Sequence, residues 1–197
     1  MNPKYCGDAK DLFKRGFLNL IRTGKVVQNL MVLPFFTGEF GPDDVAAYMR
    51  IIGITKAELL SDERFFRVQG RKEYIDTASI AAKHDLFLDP DRGAVPEEAD
   101  REVITYGEIA LLLPQQESRI LMIYDESVNM ADRERATREK IDALRSAKYG
   151  LHTFAYFNAS PNNPNVLFVA SGAGRQRIQS LMAELENAGI PKSRLLT

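Results

Sequence analysis

The sequence predicts a three-layer α/β protein, with a mostly parallel sheet, an antiparallel strand pair near its C-terminus and helices on both faces. Two observations predict this class. Short, continuous apolar runs, typical of strands buried on both faces, alternate with segments whose apolar residues recur at helical spacing. Late in the chain, the apolar runs 151–157 and 165–170 are separated by a segment rich in turn formers, which favours an antiparallel pair.

Helical spacing of apolar residues predicts seven helices, over residues 12–21, 43–52, 55–63, 72–82, 97–113, 130–147 and 175–188. Asp8 or Asp11 could cap the first helix, because a carboxylate accepts hydrogen bonds from the exposed N–H groups of a first turn. Pro42 suits the start of the second helix, and Pro114 ends the fifth. The sixth helix is strongly charged, which predicts a solvated face, and Gly189 closes the last one.

Apolar and β-branched runs predict six strands, over residues 26–36, 64–68, 86–88, 119–124, 151–157 and 165–170. Pro34 interrupts the first of these runs, since proline cannot donate a ladder hydrogen bond. Acids follow the third and fourth strands directly, Asp89 after one and Asp125 after the other. These two strands therefore present polar side chains where they end.

The composition is that of an ordinary globular protein. The 197 residues are within the usual span of one domain, and 45% hydrophobic with 27% charged residues is far from the disordered class. A net charge of −1 excludes a general basic field for nonspecific nucleic-acid binding. Cys6 is the single cysteine, and the sequence shows neither a secretory signal nor an apolar run of about 20 residues that would span a bilayer. We therefore expect a cytoplasmic protein with no membrane association.

The stretch His84-Asp85-Leu86-Phe87-Leu88-Asp89-Pro90-Asp91-Arg92-Gly93 is the main candidate for chemistry. Its apolar run stops at two acids separated by a proline. Ligands of open α/β sheets bind just beyond the carboxyl ends of the strands. Asp89 and Asp91 are therefore the candidate catalytic residues, although Asp-Pro is also a frequent turn former.

Two segments resemble the Rossmann-like S-adenosylmethionine-dependent methyltransferases. Cys6-Gly7-Asp8-Ala9-Lys10-Asp11-Leu12-Phe13-Lys14-Arg15 is similar to the A-G-N-H-A-D-V-L-K-H segment of the adenine methyltransferases that modify large-subunit ribosomal RNA, and Gly7, Asp11 and Lys14 match. Asp89-Pro90-Asp91 stands where that family carries Asp-Pro-Pro-Tyr after its fourth strand. The order of elements, parallel units followed by a hairpin, is also similar.

The resemblance implies a single methyltransferase-like domain over 1–197 that binds S-adenosylmethionine or a related nucleotide and acts on nucleic acid. It implies cofactor contacts from Gly7, from Lys14, which would meet the cofactor carboxylate, and from Thr37, Gly38 and Gly41 of the loop after the first strand. Asp89 would orient the acceptor. The chain has Asp91 and Arg92 where the family has its second proline and its aromatic residue.

Two alternatives stay open. Asp89-Pro90-Asp91-Arg92-Gly93 also resembles the magnesium-binding segment of Toprim domains, which implies a Mg²⁺-dependent nuclease or phosphoryl-transfer protein with Glu39 as the candidate third acid. In the leading interpretation no metal is bound. The other alternative is a noncatalytic binding or regulatory module.

Two further segments carry candidate binding groups. Lys4, Lys10, Lys14, Arg15, Arg22 and Lys25 concentrate positive charge near the first helix, which indicates either a local nucleic-acid-binding patch or a solvated helix face. Ser171-Gly172-Ala173-Gly174-Arg175 could cradle a phosphate, or Ser171 could cap the helix after a tight glycine turn. His84 and His152 are interpreted as structural.

Overall fold

The computed structural model of the protein describes residues 7–37, 41–62, 68–80, 83–97, 102–126, 132–160 and 164–197. The helices in these ranges are α1 (Ala9–Thr23), α2 (Pro42–Ile52), α3 (Val68–Ile80), α4 (Tyr106–Leu111), α5 (Arg133–Arg145) and α6 (Arg175–Asn187). The strands are β1 (Met31–Pro34), β2 (Leu86–Asp89), β3 (Gly93–Val95), β4 (Val103–Thr105), β5 (Ile120–Asp125), β6 (His152–Tyr156), β7 (Asn165–Ala170) and β8 (Leu195–Leu196). Short 3-10 turns lie at Lys56–Glu58, Gly172–Gly174 and Lys192–Arg194.

The main sheet has six strands in the order β1-β2-β5-β7-β6-β8. β1, β2 and β5 pair in parallel, whereas β7 pairs antiparallel with both β5 and β6, and β8 pairs antiparallel with β6. Because β7 runs opposite to both of its neighbours, β6 runs in the direction of β1, β2 and β5. The predicted mostly parallel sheet with a C-terminal antiparallel pair, β6 and β7, is confirmed.

Helices cover both faces of this sheet, so the predicted three-layer α/β class is confirmed. On one face, α1, α2 and α6 pack Phe17, Tyr48 and Leu181 against a cluster that includes Phe87 and Phe168 of the strands. On the other face, α3, α4 and α5 contribute to a second buried cluster. That cluster includes Ile75, Ile109, Ile141, Leu88, Ile123 and Leu167. Burial of these apolar side chains is the main driving force that holds the layers together.

Capping residues set the ends of the two helices that flank β1. The Asp8 carboxylate accepts hydrogen bonds from the N–H groups of Lys10 at 2.8 Å and Asp11 at 3.1 Å, so Asp8 is the cap of α1. Pro42 is the first residue of α2, as its fixed backbone angle favours. Gly53 closes α2 in the left-handed region at φ 74°, a conformation that glycine adopts without steric cost.

The helix predicted over 97–113 is wrong in its N-terminal half. β4 occupies Val103–Thr105 and pairs in parallel with β3, forming a separate two-stranded sheet. The helix α4 begins only at Tyr106, where the Thr105 hydroxyl accepts from the Glu108 N–H at 3.2 Å. A local apolar pattern fits both structures, and pairing with residues distant in sequence decides between them.

Other boundaries also differ from the prediction. Within the predicted helix 55–63, residues 55–62 form a 3-10 turn at Lys56–Glu58 rather than a longer helix, and Leu59 bridges to Val32 of β1; residue 63 lies outside the described residues. The strand predicted over 64–68 lies outside the described residues except for Val68, which begins α3. β8, with two residues, was not predicted. Among the described residues, the structure has no helix that is long and apolar enough to span a membrane.

Candidate functional site

Asp89 is the last residue of β2, at the carboxyl end of the parallel strands. Side chains alternate along a strand, so Phe87 and Asp89 face the layer of α1 and α2, whereas Leu86 and Leu88 face the opposite layer. The Asp89 residue is only 1% exposed. A carboxylate is therefore buried at the edge of the sheet where α/β proteins bind ligands.

Lys14 of α1 neutralises this carboxylate. Its Nζ atom lies 2.8 Å from Asp89 Oδ1, 3.0 Å from Asp89 Oδ2 and 3.1 Å from Asp11 Oδ1. Burial alone would lower the pKa of Lys14, but the Asp89 and Asp11 carboxylates outweigh burial and raise the pKa above its ordinary value. The ammonium group is therefore charged, and its three protons point to acceptors within the protein.

Tyr48 of α2 and Gly7 complete the hydrogen bonding of the two carboxylates. The Tyr48 hydroxyl donates to Asp89 Oδ2 at 2.9 Å, and the Gly7 N–H donates to Asp11 Oδ2 at 2.8 Å. Burial and the Asp89 charge raise the pKa of Tyr48 well above its usual range, so this hydroxyl remains a donor. We call Asp11, Lys14, Tyr48 and Asp89 the buried charge cluster.

Tyr124 of β5 borders the buried charge cluster. Lys14 Nζ lies 4.3 Å from the centroid of its ring, a distance at which a cation is attracted by the aromatic face. Burial, followed by the Glu126 and Asp89 charges, raises the pKa of the Tyr124 hydroxyl. Within the described part of the chain, this buried hydroxyl makes no hydrogen bond of good geometry, and the nearby Glu126 carboxylate contributes to its raised pKa.

Three polar groups surround the buried charge cluster, of which Asp91 and Glu126 are partly exposed and Thr37 is buried. The Thr37 hydroxyl, after β1, donates to Asp91 Oδ2 at 2.5 Å, and Asp91 is half-buried. Glu126, directly after β5, forms an ion pair with Lys10 of α1, and these side chains are 24% and 41% exposed. Asp91 and Glu126 follow neighbouring parallel strands. We call Thr37, Asp91 and Glu126 the rim.

The predicted cofactor-binding residues fall into three groups. Lys14 lies beside Asp89, and Thr37 contacts Asp91, so the structure brings these two to the candidate catalytic acids. The N–H groups of Gly7 and Gly41 are engaged within the protein, with Asp11 and, for Gly41, with Asp44 Oδ2 at 2.8 Å. Gly38 lies outside the described residues. The groups of this edge that can meet a ligand are therefore those of the rim.

Asp125, the second acid that follows a strand, lies on the other face. As the last residue of β5 it accepts from Lys140 Nζ of α5 at 2.8 Å on both oxygens and from the Ala94 N–H at 3.0 Å. Asp125 is fully buried, and Lys140 is nearly so. Gly93 packs so closely that an added Cβ would lie 1.9 Å from Asp125 Oδ1. Asp125 and Asp89 thus belong to separate clusters.

The residues predicted for a Mg²⁺ site do not form one in the described part of the chain. There, no group of three or more His, Cys, Asp or Glu side chains is placed to hold a metal ion. Both oxygens of Asp89 already bind Lys14, and Tyr48 adds a further hydrogen bond. The candidate third acid, Glu39, lies outside the described residues.

Carboxylates pair with three of the six cationic residues of the predicted basic patch. Lys10 pairs with Glu126, Lys14 with Asp89, and Arg22 with Glu58. Arg15 and Lys25 are exposed members of the patch, and Lys4 lies outside the described residues. An ion-paired lysine or arginine offers little attraction to a phosphate backbone.

The glycine segment before α6 is a packed turn. Ser171 does not cap the helix, because its hydroxyl instead donates to the Glu117 carbonyl at 2.6 Å. Gly174 is buried, and an added Cβ would lie 2.8 Å from Ala170 Cβ. These glycines therefore allow close packing of the turn against β7.

Two residues of the site had no signal in the sequence. Tyr48 is an apolar-face residue of α2, and Tyr124 is one of several buried residues in β5; their positions at Asp89 depend on how α2 and β5 pack against β2. Comparison of the chain with protein-family models, with curated proteins and with solved structures gave no match. The resemblance to the methyltransferases therefore depends on the residues quoted for it.

Proposed function

We propose that the protein binds S-adenosylmethionine or a related nucleotide at the carboxyl ends of β1, β2 and β5. One observation carries the proposal: the ion pair between Lys14 and Asp89 joins the two segments on which the resemblance depends. The two segments are distant in sequence, yet their charged residues meet at the edge where parallel α/β sheets bind ligands.

The rim supplies side chains that suit a nucleoside. Carboxylates accept hydrogen bonds from ribose hydroxyls in the dinucleotide-binding α/β folds, and Asp91 and Glu126 are partly exposed carboxylates at the ends of adjacent strands. When bound, S-adenosylmethionine supplies an activated methyl group.

Lys14 and Asp89 act as positioning residues in this proposal. Their charged atoms bind each other and are almost fully buried, so they hold the middle of α1 against the carboxyl end of β2 rather than touch a ligand. Asp91 is then the acid that meets the nucleoside, and Thr37 fixes its orientation through the hydrogen bond to Oδ2. These roles replace the direct cofactor contact that the resemblance implies for Lys14.

Binding without methyl transfer is the second candidate function. It is favoured by the engagement of Asp89, whose oxygens accept from Lys14 and Tyr48 and would have to exchange these partners to orient an acceptor. Asp91 and Arg92 also stand where the adenine methyltransferases carry a proline and an aromatic residue, and the latter stacks on a flipped base. Methylation of RNA or DNA therefore belongs only to the first candidate function, in which the bound cofactor donates its methyl group.

Calorimetry tests the proposal. S-adenosylmethionine, S-adenosylhomocysteine and AMP are titrated separately into the wild type and into Asp91→Asn, Asp89→Asn and Lys14→Ala. Asp91→Asn is expected to weaken binding by about tenfold, because it removes a charge-assisted hydrogen bond from the ligand. Glu134→Gln, an exposed change on α5, is the matched control and should leave affinity unchanged.

The absence of heat with all three ligands at millimolar concentration would overturn the proposal. Equal affinities for wild type and Asp91→Asn would move the site away from the rim. A methyl-transfer assay with S-adenosylmethionine and total RNA or DNA then separates the two candidates, since the binding module takes up ligand without releasing S-adenosylhomocysteine. Titration with Mg²⁺ alone should give no heat, and Mg²⁺ binding lost in Asp91→Asn would favour phosphoryl-transfer chemistry.

A further inference from the structure

A cavity of about 530 Å³ lies beside the amino end of β6. Because β6 runs in the same direction as β2, the start of β6 is at the opposite edge of the sheet from Asp89. β8 pairs only with Ala155 and Tyr156, so the cavity adjoins the part of β6 that β8 does not cover. The cavity is therefore separate from the buried charge cluster and the rim.

Cationic side chains from two helices converge on this cavity. Arg145 ends α5, Arg175 begins α6, and His152 is the first residue of β6. Within the described residues, neither guanidinium forms an ion pair with a carboxylate. Burial and the charges of Arg175 and Arg145 lower the pKa of His152, as expected where the local potential is positive.

Thr153 helps to hold one of these guanidinium groups at the cavity. Its carbonyl accepts a hydrogen bond from Arg145 Nη2. Arg145 and Arg175 are both exposed, so a ligand in the cavity can reach their guanidinium groups.

The remaining wall of the cavity is apolar. Leu151, Phe154, Ile178 and Met182 contribute to it, and Phe154 stacks on Phe168 of β7 at a centroid distance of 4.3 Å. The volume is in the range of sites for small molecules. The cavity thus joins an apolar wall to two guanidinium groups that form no ion pair within the described residues.

We infer that this cavity binds a small organic anion, a phosphate monoester or carboxylate with an apolar body. The guanidinium groups of Arg145 and Arg175 match the planar, paired oxygens of such an anion. The positive end of the α6 dipole lies at Arg175 and adds to this attraction. The apolar wall takes the body of the ligand.

Calorimetry with naphthyl phosphate as the probe tests the inference. Naphthol, which lacks the anion, and inorganic phosphate, which lacks the apolar body, are titrated in parallel and should each bind at least tenfold more weakly. Arg145→Gln and Arg175→Gln are each expected to weaken naphthyl phosphate binding by about tenfold. Arg138→Gln, an exposed arginine on α5 paired with Glu134, is the matched control.

Circular dichroism and thermal unfolding of each variant establish that the fold is intact before affinities are compared. No binding of naphthyl phosphate at millimolar concentration would overturn the inference. Equal affinity for naphthol would reduce the cavity to an apolar site, and equal affinity in both arginine variants would place the anion elsewhere; either result contradicts it. S-adenosylmethionine should not displace the probe, so this test is independent of the site at the rim.

Discussion

Lys14 and Asp89 are 75 positions apart and form an ion pair that solvent scarcely reaches, with Nζ-to-oxygen distances of 2.8 and 3.0 Å. The pair connects the middle of α1 to the carboxyl end of β2. Tyr48 of α2 donates to the same carboxylate, so three elements meet at one group. This buried ion pair fixes the position of α1 relative to β2, because displacement of either partner would leave the other charge buried without an opposite charge.

Removal of the Lys14 charge should destabilise the protein strongly. Lys14→Met leaves the Asp89 and Asp11 carboxylates buried without a cation, and we expect the free energy of unfolding to fall by about 3–5 kcal/mol. Urea unfolding followed by circular dichroism measures this. Lys10→Met is the matched control on the same helix; its ion pair with Glu126 is partly exposed, and its loss should cost less than about 1 kcal/mol.

The double variant Lys14→Met, Asp89→Leu distinguishes a charge effect from lost packing. Since the double variant leaves only Asp11 without a cation, whereas Lys14→Met leaves both Asp11 and Asp89, the double variant should be more stable than Lys14→Met alone. A double variant that is less stable by the sum of the single effects would contradict the interpretation of the pair as a coupled unit.

The sequence predicts local features of this site well and their spatial relation poorly. Asp8 is recognisable as a cap from its place before an amphipathic segment, and Asp89 from its place after an apolar run. Asp125 follows the neighbouring strand in the same manner, yet the pairing of Leu88 with Ile123 places Tyr124, not Asp125, next to Asp89 on the face of α1. Register between distant strands decides this, and a one-residue shift would exchange the two faces.

Pairing between distant segments also explains why the helix predicted over 97–113 is wrong in its N-terminal half. Val103, Tyr106 and Ala110 recur at spacings of three and four residues, which suit a helix, but β4 forms because Gly93–Val95 lies beside it. Gly93 can lie there because it has no side chain and adopts φ 95°, close to Asp125. Neither the left-handed backbone nor this close approach can be deduced from the sequence around Gly93.

Gly93→Ala should be severely destabilising. The new Cβ would lie 1.9 Å from Asp125 Oδ1 and 2.8 Å from Asp125 Cα, and the backbone conformation is strained for any residue with a side chain. We expect a loss of several kcal/mol or an insoluble product, measured by urea unfolding and by the soluble yield.

Gly16→Ala is the control for this substitution. Gly16 lies inside α1 with no atom within 4 Å of an added Cβ, so alanine should raise the free energy of unfolding by about 0.5–1 kcal/mol. Similar small effects of the two substitutions would show that Gly93 is not constrained by Asp125.

Asp85 directly precedes β2, at the amino end of the strand. Removal of its carboxylate should lower the free energy of unfolding strongly. Its carboxylate accepts from the N–H groups of Gln28 at 2.7 Å and Ile120 at 2.8 Å and from Arg177, which is partly exposed. Asp85→Ala leaves two backbone donors and a guanidinium without their acceptor, and we expect a loss of about 3 kcal/mol or more in urea unfolding.

Asp62→Ala is the comparison for Asp85→Ala. The Asp62 carboxylate is 53% exposed and pairs with Lys56, so its removal should cost less than about 1 kcal/mol. Equal losses of unfolding free energy in Asp85→Ala and Asp62→Ala would contradict the prediction, because the buried carboxylate would then contribute no more to stability than the exposed one.

Alkaline pH should destabilise the protein through the buried charge cluster and Tyr124. The pKa values of Lys14, Tyr48 and Tyr124 are all raised in the folded state, so each group keeps its proton there when the unfolded chain loses it. The stabilisation is fully present below the unfolded pKa values of about 10 for tyrosine and 10.4 for lysine, and it is lost as pH rises toward the folded values. Each group contributes a slope of about −1.4 kcal/mol per pH unit in that window.

Urea unfolding from pH 8.5 to about pH 11.5 should therefore show a steep loss of stability in the wild type and a shallower one in Tyr48→Phe, which lacks one of the three protons. An unchanged slope in Tyr48→Phe would mean that Tyr48 ionises equally in the folded and unfolded chains, against its hydrogen bond to Asp89.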